Sequence, residues 1–254
     1  MPDRVRSRAF LRTAVVRELL RTAFVELGQR AGGDGTGRLD VLDAGGGTGG
    51  FAVPLAELGH TVTVVDPSPD SLAALERRAA ESGVSHLVRG LQGDAAGILD
   101  VVPSANYDAV LCHSVLEVVD DPLLALTTLA GALRPHGVIS ILAANRAAAV
   151  LARAVAGRID EAAALYADPA GRAGPGDPLV RRFTLDQLLS LVATAGLHPD
   201  RVHGIRVFSD LVPGGLLDDD PDAAERLARL EEQVAEIPVY RDVATQFHVL
   251  AHPH

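Results

Sequence analysis

LDVLDAGGGTGG, residues 39–50, is the stretch from which the organisation of this chain follows. Its first half is an apolar run that predicts a buried strand, and its second half predicts a glycine loop that opens a helix. Glycine has no Cβ, so such a loop turns tightly and lets a ligand approach the backbone and the N–H groups of the helix N-terminus. Asp66 ends the next predicted strand, 21 positions after Gly45. A carboxylate there can accept hydrogen bonds from ribose hydroxyls, so the sequence predicts a nucleoside-binding site.

Predicted strands and helices alternate from this loop to residue 143. The strands are Leu39–Ala44, Thr61–Val65, His86–Leu91, Tyr107–Cys112 and Gly137–Ala143. The helices between them are Phe51–Leu58, Ser68–Ser82 and Pro122–Leu133. This succession is typical of an α/β doubly wound fold, in which helices cover both faces of a mostly parallel sheet.

The remainder of the chain does not continue this alternation of strands and helices. An Ala-rich helical stretch is predicted at Asn145–Ala167 and a loop at Asp168–Pro178, followed by a helix at Thr184–Ala195. A strand at Val202–Phe208, a helix within Asp218–Ile237 and a last strand at Thr245–Ala251 follow. We therefore expect one domain with a helical insertion. Its parts are an N-terminal cap helix in residues 1–30, a core at 39–143, an insertion or lid at 145–180 and a C-terminal part of the sheet at 184–254.

Composition excludes several classes of function. All 23 basic residues are arginine, so chemistry that needs an amine side chain, such as Schiff-base catalysis, is excluded. Cys112 is the single cysteine, which excludes an internal disulfide and a cysteine zinc site. We expect no metal, because no cluster of His, Cys and Asp has the spacing of metal ligands. The sequence contains no run of about 18 apolar residues and no signal-peptide pattern, so we expect a cytoplasmic protein without a membrane segment.

Charge is unevenly distributed along the chain. The formal net charge is -10, which argues against an extended nucleic-acid-binding surface. Residues 1–21 nevertheless carry six arginines against Asp3 and Glu18, a local net charge of +4. Two interpretations remain open for this segment: a solvated helical face or a binding surface for an anionic partner.

The glycine loop alone does not identify the nucleoside. Gly45, Gly47 and Gly50 also fit the G-x-G-x-x-G pattern of nicotinamide dinucleotide proteins. Further segments are more specific: VVDPS around Asp66, GDA at residues 93–95, HSVLEVVDDP from His113, and LRPHGV before the fifth strand. With VLDAGGGTG they resemble class I S-adenosylmethionine-dependent methyltransferases over residues 39–143. The resemblance implies S-adenosylmethionine (SAM) as cofactor, a Rossmann-like sheet of seven strands, and an antiparallel last strand.

The same resemblance implies roles for individual residues. Gly45 and Gly47 would lie against the methionine part of the cofactor, Asp66 would hold the ribose, and Asp94 the adenine end. His113 would lie beneath the reactive sulfonium and could act as a base toward a hydroxyl or amine acceptor. The remaining residues of the expected cofactor-binding set are Asp43, Gly46 and Ala95.

A second resemblance covers more of the chain. The segments LCHSVLEVVDDP, VAGRID, HGIRVFSD and QFHVLAH are similar to the bacterial tRNA 5-carboxymethoxyuridine methyltransferases, which esterify the carboxylate of a modified wobble uridine. The N-terminal SRAFLRTAVV is similar to the family segment whose arginine reaches over the cofactor, which implies that Arg12 clamps the SAM carboxylate. Arg206 is the candidate for holding the acceptor carboxylate, and a pair with Asp210 is an equally acceptable interpretation. A carboxylate is ionised near pH 7, so such a reaction needs no general base.

Other functions remain open at this point. The segment AGRAGPGDPLVRR replaces a lysine run of the enteric relatives, and aromatic residues make up 4% of the chain, so few groups could contact RNA phosphates or stack on bases. A small-molecule O- or C-methyltransferase with an apolar acceptor pocket is therefore the main alternative. A nicotinamide oxidoreductase and a catalytically inactive SAM-binding regulator are the others. The sequence predicts no oligomeric state.

Overall fold

The computed structural model describes the backbone of residues 2–30, 37–213, 220 and 222–254; in the first helix it describes the side chains of residues 13–29. Strands β1 to β7 are Asp40–Ala44, Thr61–Asp66, Val88–Gln92, Tyr107–His113, Leu133–Ala144, Leu197–Ile205 and Gln246–Pro253. Within the described residues, helices α1 to α9 are Pro2–Arg30, Ala52–Glu57, Pro69–Glu81, Pro122–Ala132, Arg146–Val155, Ile159–Ala167, Leu185–Thr194, Ala223–Val234 and Pro238–Arg241.

The seven strands form one sheet in the order β3-β2-β1-β4-β5-β7-β6. Parallel pairing joins β1 to both β2 and β4, β2 to β3, and β4 to β5. The sheet is mixed because the last strands run antiparallel, as the resemblance implied. The strand order reverses between β1 and β4, and in such sheets ligands bind outside the carboxyl ends of the strands at the reversal. The predicted fold class is confirmed.

Local signals explain where the helices begin. Ser68 precedes α3, and its hydroxyl accepts a hydrogen bond from the N–H of Ser71 at 3.2 Å. Asp121 caps α4 in the same way, accepting from the N–H groups of Leu123 and Leu124. Both helices have a proline in their first turn, where its missing N–H is not needed. The predicted starts of these helices are confirmed.

Several predicted boundaries were wrong. The fifth strand begins at Leu133, four residues before the predicted start. The sixth strand begins at Leu197, five residues before the predicted start. Leu197 is buried, but the four residues after it (HPDR) are partly or fully exposed and include no aliphatic side chain, so the sequence does not mark them as a strand. The insertion is not one helix but two, α5 and α6, separated at Gly157, whose φ of 74° cannot continue a right-handed helix.

The chain divides into two compact units. The first, here called the loop unit, comprises Thr22–Leu142, Leu188–Arg201 and Val249–His254. Its core is built from apolar side chains of the central strands and their flanking helices, including Leu42, Leu75, Leu111, Leu126, Ile139 and Ile141.

The second, here called the insertion unit, comprises Met1–Arg21, Ala143–Gln187 and Val202–His248. Its apolar clusters include Ala224, Leu227 and Ala228 on α8. The assignment of residues 1–254 to a single domain stays a prediction. Among the described helices, none combines the length and the apolarity that crossing a bilayer would require.

Candidate active site

The predicted glycine loop connects β1 to α2 and has the backbone that glycine allows. Gly45, Gly47 and Gly49 all have positive φ, at 69°, 54° and 79°. The N–H of Gly45 donates to the carbonyl of Val65 on β2 at 2.7 Å, and a Cβ on Gly45 would lie 2.7 Å from the side chain of Val115. At Gly45 a side chain is therefore excluded on both conformational and steric grounds, and the backbone itself forms this surface.

Asp43, at the end of β1, lies directly beneath the loop. A Cβ added to Gly46 would be 2.5 Å from the carboxyl group of Asp43, so the absent side chain leaves the space that this carboxyl occupies. Burial, followed by the nearby charge of Asp66, raises the pKa of Asp43 to about 7. Its Oδ2 is buried and has no hydrogen-bond partner among the described residues. A buried oxygen without a partner, next to a glycine loop that a ligand can approach, is expected at a site where a polar ligand supplies the missing hydrogen bond.

Asp66 ends β2 and is held by two backbone N–H groups. Its Oδ2 accepts from Gly47 at 2.9 Å and its Oδ1 from Ser68 at 2.9 Å. Each carboxylate oxygen has a further lone pair. The carboxylate is therefore oriented by the protein and retains acceptor capacity for two hydroxyl groups, as the sequence-based role requires.

Asp94 and Ala95 follow β3. The Oδ1 of Asp94 accepts from the N–H of Gly97 at 2.8 Å, and the side chain of Asp94 is exposed while Ala95 is buried. Because β1, β2 and β3 pair in parallel, the residues after them meet at one edge of the sheet. The structure thus brings together the loop, Asp43, Asp66 and Asp94, four of the predicted elements of the cofactor site.

His113 ends β4. Since β4 pairs in parallel with β1, His113 lies at the same edge of the sheet as the glycine loop. Its Nε2 is 2.8 Å from the hydroxyl of Ser140, and its ring contacts Phe51 edge to face at a centroid distance of 4.6 Å. Burial lowers the pKa of His113 to about 3. The imidazole is therefore neutral near pH 7 and is a weak proton acceptor.

Sequence reasoning missed Phe51, Ser140 and Val115 as parts of this site. Phe51 immediately follows the glycine loop, so its position along the chain was the one available signal. Ser140 lies 27 positions from His113 and becomes its neighbour through the pairing of β4 with β5. No local pattern identifies such a neighbour.

The two predicted arginines lie outside the loop unit. Arg12 lies on α1, and its side chain is outside the residues that the structure describes, so its predicted role stays a prediction. Arg206 follows β6, and its guanidinium forms an ion pair with Asp210. The pairing that the sequence left open is thus present in this structure, and the role of Arg206 toward an acceptor stays a prediction.

Comparisons with known proteins agree with this geometry. The family model described as Methyltransferase domain matches residues 42–141. The tRNA 5-carboxymethoxyuridine methyltransferase of Escherichia coli (strain K12) is 30% identical over 249 residues, which is 95% of this chain and 87% of that protein. The ubiquinone biosynthesis O-methyltransferase of Methylocella silvestris is 36% identical over 124 residues, 47% of this chain and 45% of that protein.

Solved structures show the same fold. A putative sarcosine dimethylglycine methyltransferase from Galdieria sulphuraria aligns with a TM-score of 0.56 and 19% identity. The alignment covers 91% of this chain and 85% of that chain. At this identity the likeness concerns the fold alone.

Proposed function

This chain belongs to the class I SAM-dependent methyltransferase family, and from that membership we propose that it esterifies the carboxylate of 5-carboxymethoxyuridine at the wobble position of tRNA. The observation that carries the proposal is the extent of the similarity. The tRNA-modifying relative matches 95% of this chain, whereas the ubiquinone O-methyltransferase relative matches 47%. A match confined to half of the chain is explained by a shared cofactor-binding core. A match over nearly the whole chain also includes the segments that differ between methyltransferases with different acceptors.

SAM supplies a methyl group on a positively charged sulfur, which makes it an electrophile. The glycine loop would hold the methionine part, Asp66 the ribose hydroxyls and Asp94 the adenine end. The buried carboxyl of Asp43 lies beneath the loop and has an orphaned oxygen, so it can complete its hydrogen bonding with the ligand or with an ordered water. Arg12 would clamp the carboxylate of the cofactor.

The neutral state of His113 supports a carboxylate acceptor. A carboxylate is already ionised at pH 7 and attacks the methyl group without losing a proton, so alignment of the two reactants does most of the catalysis. A hydroxyl acceptor needs a base, and a histidine whose pKa is lowered to about 3 is poorly suited to that task. We assign His113 to shaping the site beneath the sulfonium, with its ring fixed by Ser140.

A small-molecule O- or C-methyltransferase remains the second candidate, on two specific observations. The chain carries a net charge of -10, which opposes the approach of RNA. The insertion exposes large apolar side chains, with Val155 83% and Ile159 61% exposed, and such residues suit an apolar acceptor.

The deciding experiment uses purified protein and SAM labelled in the methyl group. The acceptors are tRNA that carries 5-carboxymethoxyuridine, the same tRNA transcribed without modification as matched control, and a metabolite extract. We expect label in the modified tRNA alone. Mild alkali should release that label as methanol, because a methyl ester is hydrolysed by base and a methyl ether, an N-methyl group or a C-methyl group is not.

Each alternative has its own outcome in this experiment. Label in the metabolite extract alone identifies the small-molecule enzyme. Protein that binds SAM and labels neither acceptor is the inactive regulator. With a tRNA acceptor, the enzyme would act in the cytoplasm, where tRNA is modified.

A further inference from the structure

Two carboxyl groups lie near each other at the glycine loop, and their hydrogen bonding differs. Asp66 accepts hydrogen bonds from the N–H groups of Gly47 and Ser68, both at 2.9 Å, and such bonds stabilise its ionised form. Asp43 is 2% exposed, and its Oδ2 receives no hydrogen bond from any described residue. Burial and the charge of Asp66 both oppose ionisation of Asp43. The free protein therefore favours a protonated Asp43.

The titratable groups of the neighbouring strands bring no positive charge to Asp43. On β4, burial and then the charges of Glu117 and Asp43 raise the pKa of the Cys112 thiol, so this thiol stays protonated. His113 ends the same strand and is neutral, because burial lowers its pKa to about 3. Glu117 follows β4 and is 1% exposed, and Asp66 ends β2. These described groups are thus neutral or acidic, and a cation has to come from the ligand.

The glycine loop, which would hold the methionine part of SAM, lies directly against Asp43. A Cβ on Gly46 would be 2.5 Å from the carboxyl group of Asp43. Both positive charges of SAM, the ammonium and the sulfonium, belong to the methionine part. Charges interact strongly in a buried site because the local dielectric constant is low. A bound cation therefore favours the ionised form of Asp43, which desolvation disfavours in the free protein.

From this arrangement we propose that Asp43 distinguishes SAM from its product by exchanging a proton with solvent. Asp43 is protonated in the free protein, releases the proton when SAM binds, and takes one back when the sulfonium charge is gone. All the groups on which this exchange depends lie in the loop unit. The inference goes beyond the proposed function, because it concerns the cofactor and holds for any acceptor.

Methyl transfer is the step that changes the charge above Asp43. An electron pair of the acceptor atom forms the new bond to the methyl carbon, and the bond between that carbon and sulfur breaks with its electron pair on sulfur. The product, S-adenosylhomocysteine, is a neutral thioether and keeps only the ammonium charge. A proton from solvent then returns to Asp43. The neutral carboxyl group attracts the product less, which favours its release.

The test counts the protons released on binding, using calorimetry with SAM and with S-adenosylhomocysteine. Each titration is run at about pH 6.5 in two buffers with different heats of ionisation, since the difference in apparent enthalpy gives the number of protons released. At this pH the amino group of either ligand is almost fully protonated, because α-amino groups titrate at about 8. Asp43, with a pKa of about 7, is mostly protonated. We expect about 0.7 proton released per SAM and less than half of that per S-adenosylhomocysteine.

Asp43→Asn removes the titrating group and keeps the size of the side chain, so the proton release on SAM binding should be absent in this variant. The SAM affinity of the wild type, divided by that of Asp43→Asn, should rise about tenfold from about pH 6 to about pH 8, because the ionised form of Asp43 binds SAM better. Asp70→Asn is the matched control. Asp70 is an exposed aspartate in the first turn of α3, and its replacement should leave both the proton release and the affinity unchanged.

Two results overturn the proposal. Equal proton release for the two ligands in the wild type does so without any variant, so the test does not depend on the folding of Asp43→Asn. Release that persists in a folded Asp43→Asn protein assigns the proton to another group, and Glu117→Gln then tests whether Glu117 is that group.

The outcome is also separate from that of the proposed function. If modified tRNA is not methylated but SAM binding releases the proton of Asp43, the acceptor is wrong and this inference stands. If modified tRNA is methylated and the two ligands release equal numbers of protons, the proposed function stands and the proton exchange is wrong.

Discussion

At the level of single residues, Asp43 has an unusually high pKa for a carboxyl group. It is buried, and its Oδ2 has no hydrogen-bond partner among the described residues. Its pKa is raised from the ordinary 3.8 to about 7, first by burial and then by the charge of Asp66. A pKa raised on folding means that the stabilising contribution of the group is fully present below its unfolded pKa and is lost as the pH rises through its folded pKa. Asp43 therefore makes the fold progressively less stable as the pH rises from about 4 to about 7, and its contribution is constant above that range.

Asp43→Asn should remove this pH dependence. We compare the free energies of unfolding of the two proteins without cofactor. We expect the value of the variant minus that of the wild type to be about 2 kcal/mol larger at pH 8 than at pH 5. Urea unfolding of both proteins at the two pH values measures this difference. A difference between the proteins that is the same at both pH values would mean that Asp43 is ionised throughout this range.

Asp66 differs from Asp43 because both of its oxygens are already oriented by N–H groups. Asp66→Asn replaces one acceptor oxygen by a donor, so it should lose hydrogen bonds to the ribose and weaken SAM binding about tenfold to a hundredfold. Calorimetry with SAM measures the change. Asp70→Asn, an exposed aspartate at the start of α3, is the control and should leave the affinity unchanged. Wild-type affinity in a folded Asp66→Asn protein would remove Asp66 from the site.

At the level of elements, the loop between β1 and α2 depends on close packing as much as on backbone freedom. Gly46→Ala would place a Cβ 2.5 Å from the carboxyl of Asp43, so the loop or that carboxyl must move. We expect a loss of about 1–3 kcal/mol in the free energy of unfolding, with weaker SAM binding. Gly50→Ala, where a Cβ meets nothing within 4 Å, should change neither quantity appreciably. Equal effects of the two substitutions would contradict the steric explanation.

The turn after β6 is the second element that depends on one side chain. Glu231 is buried on α8 and accepts hydrogen bonds from the N–H groups of Val207, Phe208 and Ser209. Glu231→Gln replaces one of its two acceptor oxygens by a donor that faces these N–H groups, and we expect a loss of about 2 kcal/mol in the free energy of unfolding. If Glu231 also positions Arg206, the KM for the acceptor should rise while SAM affinity is unchanged. Glu232→Gln, its exposed neighbour on α8, makes the same change of charge and should do neither.

At the level of the whole molecule, the net charge of -10 contrasts with the local net charge of +4 in residues 1–21. This contrast raises the question of whether residues 1–21 bind RNA. If the segment binds phosphates, replacing Arg4, Arg6 and Arg8 by glutamine should raise the KM for tRNA. The slope of log KM against log salt should fall by about one for each phosphate that an arginine no longer neutralises. SAM affinity should stay the same.

The control for this prediction removes the same charge elsewhere. Arg77, Arg78 and Arg89 are exposed arginines of the loop unit, and their replacement by glutamine should leave the salt slope unchanged. If both triple variants lower the slope equally, the general charge of the protein, and not the N-terminal segment, governs the encounter with tRNA.

The sequence by itself determined the fold class, the glycine loop, the acidic residue that ends β2, the acidic residue that follows β3, and the starts of α3 and α4. These features depend on neighbours along the chain: alternation of apolar residues, a capping side chain, a proline in a first turn. The capping box that begins α7 is of the same kind, because Thr184 and Gln187 exchange hydrogen bonds over three positions. The family resemblance added the identity of the cofactor.

Only the tertiary structure decided the chemical state of the site. Ser140 reaches His113 through strand pairing, and Glu231 reaches residues 207–209 from a different helix. Likewise, the raised pKa of Asp43 and the lowered pKa of His113 both have burial as their largest cause. Burial and long-range pairing depend on which distant segments pack together, and no local pattern in a chain records that. The early start of β6 has the same cause, since its first residues join the sheet without an apolar pattern of their own.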